Sequence, residues 1–294
     1  MRYRTQLWMM LSPYLLGAVA LIGLPAVLTT LLAFIRYDGI STPVWVGWNN
    51  FRLTFANPFD ILPPLALYNT LYFTFFAVPI RILAALLLAL WLQRQQKGVG
   101  LYRAAVYLPT ILPDVAYALI WLWVFNPLYG PLNFILTAFG LPAPAWLVDE
   151  RFAKLAFVIM SAFQIGEGFV VLLAGLQNIP SDYYAAASVD GGSGWQQFRF
   201  ITLPLLLPWL LLLTLRDIIL SGQSLFTANL IMTNGDPYYS TLFLPLHIYE
   251  EAFDRLHFGP ASAMTLVLIL TVASLIGMVV TVVGNWGEEE ASEF

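Results

Sequence analysis

The sequence predicts an all-α integral membrane protein with about six transmembrane helices, and three observations predict it. Of 294 residues, 60% are hydrophobic and only 10% are charged. The mean hydropathy is +0.76. The charges are spaced so that long apolar runs, each near the roughly 20 residues a bilayer span needs, recur along the chain. The 13 Lys+Arg and 17 Asp+Glu could not cover a soluble protein of this size. Disorder is excluded, because it requires low hydrophobicity.

The spans follow in order. The first is expected over residues 11–35. Arg2, Arg4 and Ala18-Val19-Ala20 resemble parts of a signal peptide, but the apolar run continues to Ile35, past the roughly 7–15 residues of a secretory core. It is therefore read as a retained helix. The second span, 67–92, is interrupted once by Arg81, and the third, 105–125, contains Asp114. The fourth, 155–176, carries Glu167. The fifth, 203–220, has Arg216 and Asp217 near its far end, and the sixth covers 260–284. The compact basic loop over 94–103 favours a cytoplasmic N-terminus. Trp45, Trp48, Trp146 and Trp286 lie near span ends, as an interfacial aromatic belt requires. Segments 36–64, 126–154 and 222–259 are too short for a separate catalytic domain. The whole chain, 1–294, reads as one membrane domain, and Glu288-Glu289-Glu290 with Glu293 as a solvated acidic end.

Several chemistries are missing. The net charge of −4 leaves no basic stripe for nucleic acid. There is no cysteine, so disulfides, thiolate metal sites and Cys nucleophiles are excluded. No phosphate-binding GxxxxGK[ST] occurs; Gly191-Gly192-Ser193-Gly194 is followed by no lysine. His247 and His257, with Asp254 between them, have no metal-ligand spacing. No nucleophile elbow is present. The expectation is a conduit, not an enzyme, with no cofactor and no metal, whose energy source lies on another protein.

One polar loop separates spans four and five. In it Pro180 can open a helix, with Ser181 or Asp182 as acceptors for the first turn. Residues 183–189 form a short helix with a small alanine face, and Asp190-Gly191 ends it. A second short helix carries Trp195, Phe198 and Ile201 into span five. A small-faced helix of this kind fits a partner's groove.

This loop resembles the EAA loop of permease subunits from binding-protein-dependent ABC importers. Ala186, Ala187, Asp190, Gly191, Ile201, Leu203 and Pro204 match that pattern; the family's Glu falls on Ala185. The resemblance extends over most of the chain and is to the sugar-type subfamily. Its other carriers are Val46-Gly47-Trp48-Asn49-Asn50-Phe51, Asn69-Thr70, Arg103 to Pro109, Trp121 to Asn126, Ala174 to Pro180, and Thr233-Asn234-Gly235-Asp236-Pro237. The resemblance implies a type I importer permease fold in a bacterial or archaeal cytoplasmic membrane, with both termini cytoplasmic. It implies a second, different permease subunit, two cytosolic ATPase subunits and an extracytoplasmic solute-binding protein, alongside membrane lipid. Loop 179–204 would couple to the ATPase through Tyr184, Ala185, Ala186, Ala187, Asp190, Gly191 and Pro204. The solute would be a sugar or related carbohydrate. The alternatives are another small polar solute, or an ion-coupled secondary transporter.

Within the spans, Arg81 lies about 16 Å from its helix end, too deep for easy snorkelling. Functional and inter-helix structural roles are both open for it. Glu167 stands between Gly166 and Gly168, which allow close backbone approach. With Gln164 three residues earlier, Glu167 would either line a solute site or make a packing hydrogen bond. Gln223 and Asn229 are further solute-contact candidates by chemistry alone. Arg216-Asp217 is read as a structural pair.

Overall fold

The computed structural model describes residues 2–94, 96–223 and 225–292. The acidic end at Glu288-Glu289-Glu290 and Glu293, and Trp286, fall outside the described side chains. Helix α1 (Arg2–Ala18) passes through a π-helical turn (Val19–Gly23) into α2 (Leu24–Leu32). A hairpin of β1 (Ile35–Arg36) and β2 (Val44–Trp45) follows, antiparallel, with Ile35 opposite Trp45. Then come α3 (Asn49–Phe55), the long α4 (Leu62–Leu92), α5 (Val99–Ile111), α6 (Asp114–Val124), α7 (Pro131–Ala138), α8 (Glu150–Ser161) and α9 (Gly166–Gln177). Helices α10 (Ser181–Val189) and α11 (Gly194–Gln197) precede a second π turn (Phe198–Thr202) and α12 (Leu203–Ser221). Helices α13 (Leu225–Met232), α14 (Leu244–Tyr249) and α15 (Phe258–Ser292) complete the chain.

Among the described residues, four helices are long and apolar enough to cross a membrane: Thr5–Leu32, Leu62–Leu92, Gly194–Ser221 and Phe258–Val283. Two bent helix pairs raise the count to as many as six, where each pair is taken as one span. The third span, expected as one helix, is α5 and α6 at 103°. Pro113 is the cause: it forces Leu112 out of the helical region, to φ −66° and ψ 135°. Asp114, expected inside a span, instead opens α6, where its charge suits the helix N-terminus. The fourth span is likewise α8 and α9, bent by 44°. Of the three π turns, the first two end two residues before a proline, Pro25 and Pro204, whereas the third, Glu250–Asp254 at the end of α14, has no proline at that distance after it. A proline cannot donate to the carbonyl four residues back and its ring crowds that group. One wider turn accommodates it without ending the helix.

The chain forms two compact units, Met1–Pro64 with His247–Leu270, and Leu65–Leu246 with Thr271–Phe294. In the first unit, the buried Asn50 amide donates to the carbonyls of Ala33 (2.9 Å) and Ile35 (3.0 Å) where the first span ends. Phe34 packs its ring against Trp45, Trp48 and Phe51. The hairpin turn closes on Asp38, whose carboxylate accepts from the backbone of Ile40 and Ser41 and from the Ser41 hydroxyl. Those donors hold its carboxyl down at about 2. Glu251 is shared between Arg255 and His257.

The second unit has two cores. One gathers Phe73, Tyr117, Trp121, Phe125, Trp146, Phe157 and Phe243. The other gathers Ala85, Ala89, Phe169, Leu172, Leu206 and Leu213. Trp146 therefore does not sit in an aromatic belt: it is buried, and its indole N–H donates to Asn133 Oδ1 at 2.8 Å. A buried indole requires such a partner. Asn69 and Thr70 staple the 239–244 loop to α4. The Asn69 amide donates to the Tyr239 and Leu242 carbonyls, each at 3.0 Å, and Thr70 Oγ1 accepts from the Leu244 N–H.

Candidate coupling loop and solute-facing residues

The polar loop folds as a self-braced helical hairpin. Helix α10 begins at Ser181, directly after Pro180. Contrary to expectation, neither Ser181 nor Asp182 caps it: Pro180 is the cap and no side chain bonds the first turn. The C-terminal end is as expected. Asp190 caps, and Gly191 adopts φ +80°. The Gly192 N–H donates to Ala187 O at 2.8 Å, and the Gly191 N–H to Ser188 O at 3.2 Å. This is the paired bonding of a Schellman ending. Helix α11 then opens with a reciprocal capping box between Ser193 and Gln196.

Side chains tie the two arms together. The Tyr184 hydroxyl lies 2.9 Å from Thr202 Oγ1, at the base of α12. Gln197 Nε2 donates to Ser188 Oγ at 3.0 Å and to Gly192 O. Of the seven coupling candidates, Ala185, Ala186, Asp190 and Gly191 are exposed, while Ala187 and Pro204 are half-buried. Half-buried Tyr184 turns inward as a brace. Thr202 and Gln197 were not among the residues expected to shape this loop. A capping-box spacing at Ser193 and Gln196 was legible; the Tyr184–Thr202 contact, spanning 18 residues, carried no local signal.

The solute candidates lie on four different stretches of the chain: the α8–α9 break, α9, the turn after α12, and α13. Gln164 lies in the break between α8 and α9, not on a helix, so it and Glu167 do not share a helix face as expected. Glu167 is in the first turn of α9. The Gly166 N–H donates to Thr110 Oγ1 at 3.1 Å. A Cβ at 166 would overlap Thr110 Oγ1 and lie 2.9 Å from Tyr107 Cα. The room Gly166 provides is thus occupied by α5. Gln223 is exposed in the turn after α12. Asn229 is 0% exposed, and its amide is committed to Thr233 Oγ1 (3.1 Å) and the Phe243 N–H (3.4 Å).

The ionisable residues, read separately from sequence, form one chain. Arg81 Nε lies 3.4 Å from Asp217, Asp217 lies 3.0 Å from Arg216, and Arg216 pairs with Glu167. Charges therefore alternate along α4, α12 and α9. The Arg81–Asp217 end is buried, with side chains 9% and 7% exposed. The Arg216–Glu167 end is open, at 33% and 48%.

A family model described as "Binding-protein-dependent transport system inner membrane component" matches residues 66–283. The chain belongs to this family. It is 31% identical to the probable ABC transporter permease protein YesP of Bacillus subtilis over 287 residues, covering 96% of this chain and 92% of that one. It is also 31% identical to the trehalose/maltose transport system permease protein MalF of Thermococcus litoralis, covering 91% and 90%. The fold matches the crystal structure of a bacterial ABC transporter involved in the import of the acidic polysaccharide alginate, with TM-score 0.80 over 95% of this chain and 94% of that chain, at 20% identity. The matched family region contains both α10 and the ionic chain. Membership in this family makes the chain a membrane-embedded permease.

Proposed function

We propose that the chain is the permease subunit of an ATP-driven importer for a sugar or related carbohydrate, delivered by an extracytoplasmic binding protein. Its sugar-transporting relatives support the solute class. They include the lactose system permease LacF of Rhizobium radiobacter, 36% identical over 71% of this chain. A second permease and two cytosolic ATPase subunits complete the assembly, and both termini and loop 179–204 face the cytoplasm. The observation that carries the coupling role is the exposed Ala185–Ala186 surface on a hairpin braced by Tyr184, Gln197 and the Gly191 ending. Ala186→Arg, by bulk and charge, should stop the ATPase from co-purifying with a chain that still inserts. Co-purification and full transport by that variant would sink the coupling role.

Gln164 and Glu167 are proposed to line the solute path. An ion pair as open as Arg216–Glu167 does not face hydrocarbon, where each charge costs about 2.5–3.5 kcal/mol on insertion scales. Its open side therefore faces a cavity or a partner. A carboxylate and an amide offer hydrogen bonds to neutral sugar hydroxyls. Glu167→Gln leaves Arg216 paired with Asp217, so folding should cost no more than about 1 kcal/mol. Transport by Glu167→Gln should fall while expression holds. Normal kinetics in both Glu167→Gln and Gln164→Ala would remove the two residues from the path.

A further inference from the structure

We propose that a groove on the second unit, formed by α4, α12 and α15, is a phospholipid site whose headgroup phosphate is held by Lys154. The groove encloses about 670 Å³. Its walls include Tyr72 and Phe76 from α4, Ile218 from α12, and Met278 and Val282 from α15. Such a surface matches an acyl chain and offers nothing to a sugar.

The end of the groove at Tyr68 and Tyr72 differs in kind. The Lys154 ammonium stands 5.2 Å from the centroid of each of these rings. Its one hydrogen-bond partner among the described residues is the Asn69 side-chain oxygen at 3.3 Å, and no carboxylate lies within ion-pair distance. Two donors of the ammonium remain to be satisfied. The site therefore has an apolar body and, against the Tyr68 and Tyr72 rings at one end, a cation that Glu150 influences through space without forming an ion pair with it. That polarity is the complement of an anionic amphiphile, an acyl tail below a phosphate.

The depth agrees. The 31 residues of α4 extend about 46 Å, against a hydrocarbon core of about 30 Å. With the excess shared between its ends, Tyr68, about 9 Å along the helix, falls at the core boundary, where tyrosine rings and lysine ammonium groups meet headgroups.

The test uses the detergent-purified transporter complex, titrated with phosphatidylglycerol or phosphatidylcholine and read by native mass spectrometry. Wild type should bind phosphatidylglycerol more tightly. Lys154→Gln should weaken phosphatidylglycerol about fivefold and abolish the discrimination. Val279→Trp, which fills the groove, should displace both lipids while Lys154 remains. Equal binding of the two lipids by wild type, or discrimination retained by Lys154→Gln, would overturn the proposal. So would bound lipid undiminished in Val279→Trp. Cross-linking of Val279→Cys to the second permease subunit in a chain otherwise free of cysteine would likewise overturn it, assigning the groove to a protein helix.

Discussion

Gly166→Ala should destabilise the protein, whereas Gly168→Ala, two residues away on the same helix, should not. The added methyl at 166 meets Thr110 Oγ1 and lies 2.9 Å from Tyr107 Cα and 3.1 Å from Tyr107 Cδ2. The hydroxyl can rotate away; the backbone Cα cannot. Overpacking against a backbone costs about 1–3 kcal/mol. Gly166 is the first residue of α9, so the gain in helix propensity there is small. At 168 the new methyl finds Ala85 Cβ at 3.5 Å, an ordinary contact, and the propensity gain of up to about 1 kcal/mol survives. The two variants should therefore differ by about 1–4 kcal/mol. Thermal unfolding of each in the same detergent, with gel-filtration recovery as a second readout, measures the difference. Thr110→Ala should rescue Gly166→Ala only partly, because Tyr107 Cα remains in place. Equal stability of the two alanine variants, or complete rescue by Thr110→Ala, would refute the close-approach argument.

Asp217→Ala should lower stability by about 3–5 kcal/mol in detergent melts by leaving Arg81 buried without a counter-ion, and Arg81→Met with Asp217→Leu should recover most of that loss. Gly191→Val should leave membrane insertion intact but uncouple ATP hydrolysis from transport, since a β-branched residue resists φ +80°; Gly191→Asn, which tolerates that region, should keep most of the coupling. Asp38 is held at about 2 in the fold against an ordinary 3.8, so its stabilisation of the hairpin is complete above pH 3.8 and is lost as pH falls through 2. The amide resonances of Ile40 and Ser41 should titrate with that low midpoint; a midpoint near 3.8 would mean the turn does not hold the carboxylate.

Span positions were legible because hydropathy is a local signal, and the Gly191 ending was legible because only glycine takes that conformation cheaply. The breaks were not read, although Pro113 announces the first: a window that counts apolar residues runs straight across Leu112-Pro113. The second break had no proline to mark it. It coincides with the approach of α9 to Thr110, some 56 residues earlier in the chain, and no local pattern encodes that. The same limit explains the ionic chain. Arg81, Glu167, Arg216 and Asp217 each stood out as costly intramembrane charges, but only the tertiary fold aligns them. Asn229 was selected by chemistry alone, and chemistry does not distinguish an amide facing a path from one closing a buried turn.

The two halves of the ionic chain differ in a way that bears on movement. Breaking the buried Arg81–Asp217 pair costs several kcal/mol, so α4 and α12 are held together there through any change driven by modest binding differences. The open Arg216–Glu167 pair contributes at most about 1 kcal/mol and is the first link to give way. Toward its other end, α9 is packed on α12 at Gly175, where an added Cβ would lie 3.0 Å from both Leu206 and Trp209. Between α9 and α12 the weaker link is therefore at the Glu167 end and the tighter one near Gly175, two residues before the helix ends at Gln177, so any parting of the two helices is expected to start at Glu167. The tighter link adjoins the 178–180 segment leading into α10. If α10 is turned by a partner, as the proposed coupling role requires, the displacement would be enlarged along the roughly 12 Å between Gly175 and Glu167, and the groups it moves would be the already open Glu167 and the Gln164 segment beside the break.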